Sequence, residues 1–218
     1  MKVRIPLSTA LTALLPLTGC FGTSDAQQHA VAQKRTFVPV AAPAASRPAA
    51  TAPFAAVKIR PFRALPPFET CAFIVRRTSG EFASDYYNSW LVPPHDLIRV
   101  QTARYLAETR LFDNVFDAGS GTLPPLSLEG VVSELYLDFS GEKPAAVVTL
   151  RLLVLDEHAP AFTVLFSSEK SGRAEFDAHD KTAPAQAFGH ALTQSLEALS
   201  QALAAATLPR VTTPGSPR

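Results

Sequence analysis

Cysteine is nearly absent from this chain of 218 residues, which carries two, Cys20 and Cys71, with a single methionine and a single tryptophan. Two cysteines exclude the disulfide framework by which small exported domains compensate for a thin core. A surplus of either charge is also missing. The chain has 20 basic and 19 acidic residues, which leaves no concentrated positive surface of the kind nucleic acid requires. No apolar run reaches the ~20 residues of a permanent bilayer-spanning helix. Phosphate-cradling Gly-x-x-x-x-Gly-Lys-Ser/Thr does not occur, and Gly119-Ser120-Gly121 lacks the Gly-x-Ser-x-Gly spacing of a nucleophile elbow. His29, His95, His158, His179 and His190 show no metal-ligand spacing. Catalytic, cofactor and metal residues are therefore all expected to be none.

What the chain does have is at its start. Lys2 and Arg4 precede an apolar stretch from Ile5 to Leu17, broken by Pro6 and Pro16 and closed by Leu17-Thr18-Gly19-Cys20. A basic segment, a short apolar segment and small residues before a cut make an export signal. Leu17 fits an ordinary signal-peptidase site badly and fits a bacterial lipobox well. In the lipobox reading Cys20 carries the lipid, residues 1–19 are removed, and two or three acyl chains anchor firmly where one is marginal. The alternative is a plain secreted protein with a cysteine there by chance. Loss of residues 1–19 takes away Lys2 and Arg4, leaving 18 basic and 19 acidic residues. Phe21, where an aspartate would retain a lipoprotein in the inner membrane, favours the periplasmic face of the outer membrane of a Gram-negative cell. With Cys20 acylated, Cys71 has no partner and reads as a small core residue.

Residues 20–54 are rich in Ala, Pro, Gln, Ser and Thr, too poor in large apolar groups to offset chain entropy, and read as a tether. Thr36 to Val40 is the exception and can form a short edge strand. One domain is expected over 55–206, followed by a flexible tail, 207–218. Strands are expected from Val57, over Cys71–Arg77 with Glu81–Tyr87 as hairpin partner, and over Ala146–Leu155 with Phe162, Val164 and Phe166 alternating beside it. Leu126, Leu128, Gly130 and Val132 alternate in one phase and Leu135, Leu137 and Phe139 in the other. That switch predicts a bulge near Ser133-Glu134. Pro93-Pro94 opens a helix with Leu97, Ile98, Thr102, Tyr105, Leu106 and Thr109 on one side, and Pro184–Ala206 forms a second with a stripe through Phe188, Leu192, Leu196, Leu199 and Leu203. The fold class is α+β, a mainly antiparallel or mixed sheet with both helices on one face. The other face is either solvated or a surface for lipid or another subunit.

Tyr86, Tyr87, Trp90, Pro93 and Pro94 are candidate partner-interface residues, because Tyr and Trp bring large apolar area with a polar tip and prolines present them at low entropic cost. In the competing reading, their rings cover the edge of the first helix. Asp156-Glu157-His158 and Asp177 with His179-Asp180 place carboxylates near imidazoles. Such a pair can orient a base, although both clusters also suit solvated turns.

Asp85-Tyr86-Tyr87-Asn88-Ser89-Trp90-Leu91-Val92-Pro93-Pro94, followed by Leu97-Ile98, Tyr105-Leu106, Leu111-Phe112-Asp113-Asn114-Val115 and Leu128 to Phe139, resembles the PqiC-like auxiliary lipoproteins of MCE-type ABC transport systems. The resemblance covers roughly residues 55–206 and the lipobox. It implies a lipid-anchored outer-membrane accessory with no ATP site of its own. Its partners would be an MCE substrate-binding protein and, indirectly, a permease and an ATPase, with lipid contact and a homo-oligomer as further implications. The alternatives are an envelope hydrolase using an Asp/His cluster and a structural adaptor.

Overall fold

The computed structural model describes residues 33–44, 52–78, 80–159, 163–206 and 208. The lipobox with Cys20, Phe162 and the tail from 209 lie outside the described residues. Nine strands and two helices occur among the described residues: β1 (Arg35–Phe37), β2 (Val57–Ile59), β3 (Arg63–Ala64), β4 (Ala72–Thr78), β5 (Glu81–Trp90), α1 (Pro94–Thr109), β6 (Val115–Phe116), β7 (Leu126–Asp138), β8 (Ala145–Asp156), β9 (Thr163–Glu175) and α2 (Ala183–Ala205).

The sheet is built on β7, thirteen residues long. On one side β8 pairs antiparallel along it, and β9 pairs antiparallel with β8. On the other side three short strands lie parallel to it in succession: β2 against Leu126–Leu128, β3 against Val131–Val132, and β4 against Leu137–Asp138. Pro61 and the Pro66-Pro67 pair fall between these pieces. A residue without an N–H cannot continue a ladder, so the chain leaves β7's edge at each of them and rejoins further along. β5 pairs antiparallel with β4, β1 lies parallel to β5 at the sheet's border, and β6 is parallel to β2. The long ladders are thus antiparallel and the short ones parallel, which makes the sheet mixed.

The bulge is where the phase switch in the sequence puts it. Val132 faces Leu150 and Glu134 faces Thr149, leaving Ser133 as the extra residue, so Leu135 and Leu137 rejoin the face of Leu128 and Val132. With Ala146, Val148, Leu150, Leu152 and Val154 of β8 they form the floor of the core. Both helices pack on this face. α1 buries Ile98, Thr102, Tyr105 and Leu106, and α2 buries Phe188, Leu192, Leu196, Leu199 and Leu203. α2 comes down onto β9 at Gly172, where a Cβ would lie 1.9 Å from the Ala191 carbonyl oxygen. β9 runs on to Glu175, further than its apolar alternation extends, because Ser195 Oγ donates to the Lys170 carbonyl (2.8 Å) and Gln194 Oε1 accepts from the Arg173 N–H (2.9 Å). These α2 side chains also blunt the sheet's free edge.

The opposite face is paved with ion pairs. Arg60 reaches Glu157 (2.6 Å) and Glu129 (3.3 Å), while Glu169 accepts from Arg151 (2.9 Å) and Ser133 (2.8 Å). On this face, at the far end of β7, the buried Asp138 accepts two bonds from the Arg76 guanidinium (3.1 and 2.7 Å), one from Arg173 (2.7 Å), and two from Ser140 through its N–H (3.0 Å) and hydroxyl (2.6 Å). The Arg76 guanidinium also lies 4.9 Å from the ring centroid of Tyr136, which stacks on Phe68. On this face Val131 and Val147 are buried beside Arg151 and Arg173, their ladder partners, whose side chains remain 49% and 47% exposed.

Residues 33–44 depart from the tether reading. After β1, the segment 38–44 lies as a strap between the helices. Its N–H groups at Ala41, Ala42 and Ala44 donate to Gln101 (3.2 Å), Thr193 (2.8 Å) and Glu108 (2.9 Å). The Val40 carbonyl rests where a Cβ of Gly189 would sit, 2.4 Å away.

The Arg76 guanidinium, ahead of the Ser140 and Arg173 bonds, holds the Asp138 carboxyl far below the usual carboxylate range. Asp138→Ala strands two arginines and is expected to cost about 3 kcal/mol in a urea melt. Because the folded pKa is depressed, the stabilisation is complete above the unfolded value of about 3.9 and is lost as pH falls below it toward the folded value. The variant should therefore show a shallower acid loss of stability than the parent below pH ~4. Gly172→Ala, whose new methyl meets helix backbone, is expected to cost about 3 kcal/mol. Gly119→Ala, with nothing within 4 Å, should stay within about 0.5 kcal/mol of the parent.

Candidate functional site

The segment Asp85–Pro94 folds as one built unit. Ala72 of β4 pairs with Ser89 and Ile74 with Ser84, so residues 85–88 bow out of β5 opposite Phe73. Asp85 holds the bow: its Oδ1 accepts from the N–H groups of Tyr87 (2.7 Å) and Asn88 (3.2 Å), and its Oδ2 from Asn88 Nδ2 (2.6 Å). An aspartate that captures the N–H two residues on is the side-chain imitation of a turn. The bow puts both tyrosines outside, Tyr86 71% and Tyr87 45% exposed. Their rings meet edge to face at 5.2 Å, and Lys34 Nζ lies 4.1 Å from the Tyr86 centroid.

Trp90 does the opposite. It is 3% exposed, with its ring 4.3 Å from Phe73 and 4.9 Å from Phe188 of α2. β1 fixes it from the border side, with Phe37 paired to Trp90 and the Leu91 N–H donating to the Phe37 carbonyl (3.0 Å). Pro94 is buried at the first helical position of α1, and Pro93 caps the helix by backbone conformation alone. Of the five candidate interface residues, then, Tyr86 and Tyr87 present a surface. Trp90 and Pro94 are corrected to core and scaffold because their side chains are enclosed, and half-buried Pro93 serves the helix start. Leu91 and Val92 follow on the same edge, and Val38 and Val40 continue β1; all four are exposed. Composition had hidden them in a linker and a helix approach. The Asp85…Asn88 spacing was the readable signal for the bow.

The Asp/His clusters use their carboxylates in turns. Asp156 Oδ1 accepts from the His158 N–H (2.8 Å), Glu157 pairs with Arg60, Asp177 Oδ1 accepts from the His179 N–H (2.9 Å), and Asp180 accepts from the Thr182 N–H and hydroxyl. A cavity of 520 Å³ opens between the C-terminal halves of α1 and α2 beside Pro43 and Ala44, lined by Tyr105, Glu197, Ser200 and Gln201 among others. Burial pushes the Tyr105 phenol up, against the pull of its bond to Ser200. Among the described residues no group of three or more His, Cys, Asp or Glu could hold a metal ion, and no helix is long and apolar enough to cross a membrane.

No family model matches the chain, and no curated protein does. Solved structures do match. A Xanthomonas campestris protein of family DUF330 superposes with a TM-score of 0.64 at 21% identity, over 76% of this chain and 92% of that one. An uncharacterized protein superposes with a TM-score of 0.50 at 11% identity, over 71% and 94% of the respective chains. A lipoprotein of Neisseria meningitidis aligns over 69% and 98% at 12% identity, with a TM-score of only 0.30. At these identities the first two establish a shared fold.

The unit's division of labour is testable. Trp90→Ala empties the space between Phe73 and Phe188 and is expected to cost about 4 kcal/mol in denaturant. Tyr86→Ala removes a ring that faces water and should shift stability by no more than about 0.5 kcal/mol.

Proposed function

We propose that this chain is a lipid-anchored accessory component of an MCE-type ABC lipid transport system. Acyl chains on Cys20 hold it to the periplasmic face of the outer membrane, where it docks the MCE substrate-binding protein and performs no catalysis of its own. The observation that carries this reading is how the domain is entered. The chain passes from Gln33 directly into β1 at the border of the sheet, fifteen residues after Cys20, and is then strapped down between α1 and α2. That is the construction of a module held by its amino-terminal edge. The fold shared with the DUF330 protein fits the PqiC-like resemblance of the Asp85–Pro94 segment. Phe21 after the lipobox cysteine supports the outer membrane. Nucleotide hydrolysis would fall to the ATPase of the system, because this chain has no phosphate-cradling loop.

Full-length protein extracted from membranes in mild detergent should co-purify with an MCE-domain protein, and mass spectrometry of its amino-terminal peptide should show acyl mass on Cys20. Recovery without any MCE protein would overturn the docking role. An unmodified Cys20 would overturn the anchor.

A further inference from the structure

We infer that the Tyr86–Tyr87 edge is the surface this domain lays on the lipid bilayer. The inference rests on the acylated Cys20 of the reading above but not on the MCE partner. Of the large apolar side chains exposed among the described residues, Tyr86, Tyr87, Leu91 and Val92 lie on the end of β5 and the turn after it, and Val38 directly follows the Phe37 that pairs with Trp90. Tyr86, Tyr87, Leu91 and Val92 fall within one short run of chain, which makes it the densest cluster in sequence of exposed large apolar side chains among the described residues.

Distance puts a bilayer within reach. Gln33 begins the described domain thirteen residues after Cys20, a length of chain that reaches about 45 Å at full extension. The border where the chain enters therefore lies within about 45 Å of Cys20 along the chain, while exposed Leu123 precedes the start of β7, at the other end of that strand from Leu137–Asp138, where β4 pairs.

Chemistry agrees. Tyrosine rings with a polar tip settle at the level of lipid headgroups, and basic side chains beside them are drawn to anionic lipid. Lys34 stands over the Tyr86 ring. Arg35 follows it in sequence and donates Nη1 to the Lys181 main-chain carbonyl (3.1 Å), next to Asp180, whose carboxylate is bonded to Thr182. Asp85, the acid nearest the pair in sequence, is bonded to the Tyr87 and Asn88 N–H groups. The Asp85 bow and the buried Trp90 hold the two rings outward, so contact orders little that is not already ordered.

The test uses the full-length acylated protein in vesicles of phosphatidylethanolamine and phosphatidylglycerol, with a photo-crosslinking phenylalanine placed at position 86, 91 or 123. Acyl mass on Cys20 is checked first, so that loss of the anchor is told apart from failure of the contact. Phospholipid adducts are expected at 86 and 91, at least tenfold over 123. In the position-91 protein, Lys34→Glu with Arg35→Glu should lower the adduct severalfold in these vesicles and less in vesicles of phosphatidylcholine alone. Equal lipid adduct at 86 and 123, or a protein adduct at 86 when the same variants are illuminated in whole envelopes, would overturn the inference in favour of a solvated or protein-covered edge.

Discussion

One strand is paired on both edges over much of its length, and the remaining architecture follows from that. β7 has β8 on one side and three short parallel strands in file on the other. A strand paired on both edges has its N–H and C=O groups satisfied by the ladders, so its side chains are free to sort by face. The Ser133 bulge lets a single strand keep leucine and valine under the helices through a change of phase. Asp138 closes its far end by gathering two arginines from β4 and β9, strands that do not touch each other. The ion-paired face is thereby knitted across the width of the sheet, and the helices pack on the side that needs no charge.

Much of this was legible in the residues. Alternation along Leu126–Leu137 disclosed both the strand and its bulge, and Pro93-Pro94 and the Phe188–Leu203 stripe disclosed the helices, because these signals depend on local geometry and a one-sided core. Less legible was anything set by distant neighbours. β2 was announced by the alternation from Val57, but β3 is two residues long and exists as a strand because β7 offers an edge to pair with; no periodicity can announce so short a piece. β9 continues through Ser167–Glu175 on backbone pairing to β8 and side-chain bonds from α2, so its polar composition gave no strand pattern.

The candidate site divides in the same way. Aromatic density between Tyr86 and Trp90 pointed to a contact, yet composition treats Tyr and Trp alike, and the opposite fates of Tyr86 and Trp90 follow from a turn closed by Asp85 and a β1 strand supplied from fifty residues upstream. The imidazole–carboxylate neighbours at 156–158 and 177–180 were equally visible. Their carboxylates capture nearby N–H groups, a geometry that sequence proximity favours. What the domain offers to its surroundings is thus a shaped border, and the buried Trp90 underneath keeps that border rigid.

The strap between the helices carries a consequence for how such a chain can change over time. Gln101, Thr193 and Glu108 recognise main-chain N–H groups, and Gly189 makes room for a main-chain carbonyl, so the grip on residues 40–44 is indifferent to most of the side chains it holds. Any residue small enough to pass between α1 and α2 can occupy Ala41, Ala42 or Ala44, except proline, which has no hydrogen to give. A stretch read in this manner can drift in composition until it is indistinguishable from a spacer while its register stays fixed. Its partners on the helices, and the glycine opposite, are where substitution would be resisted.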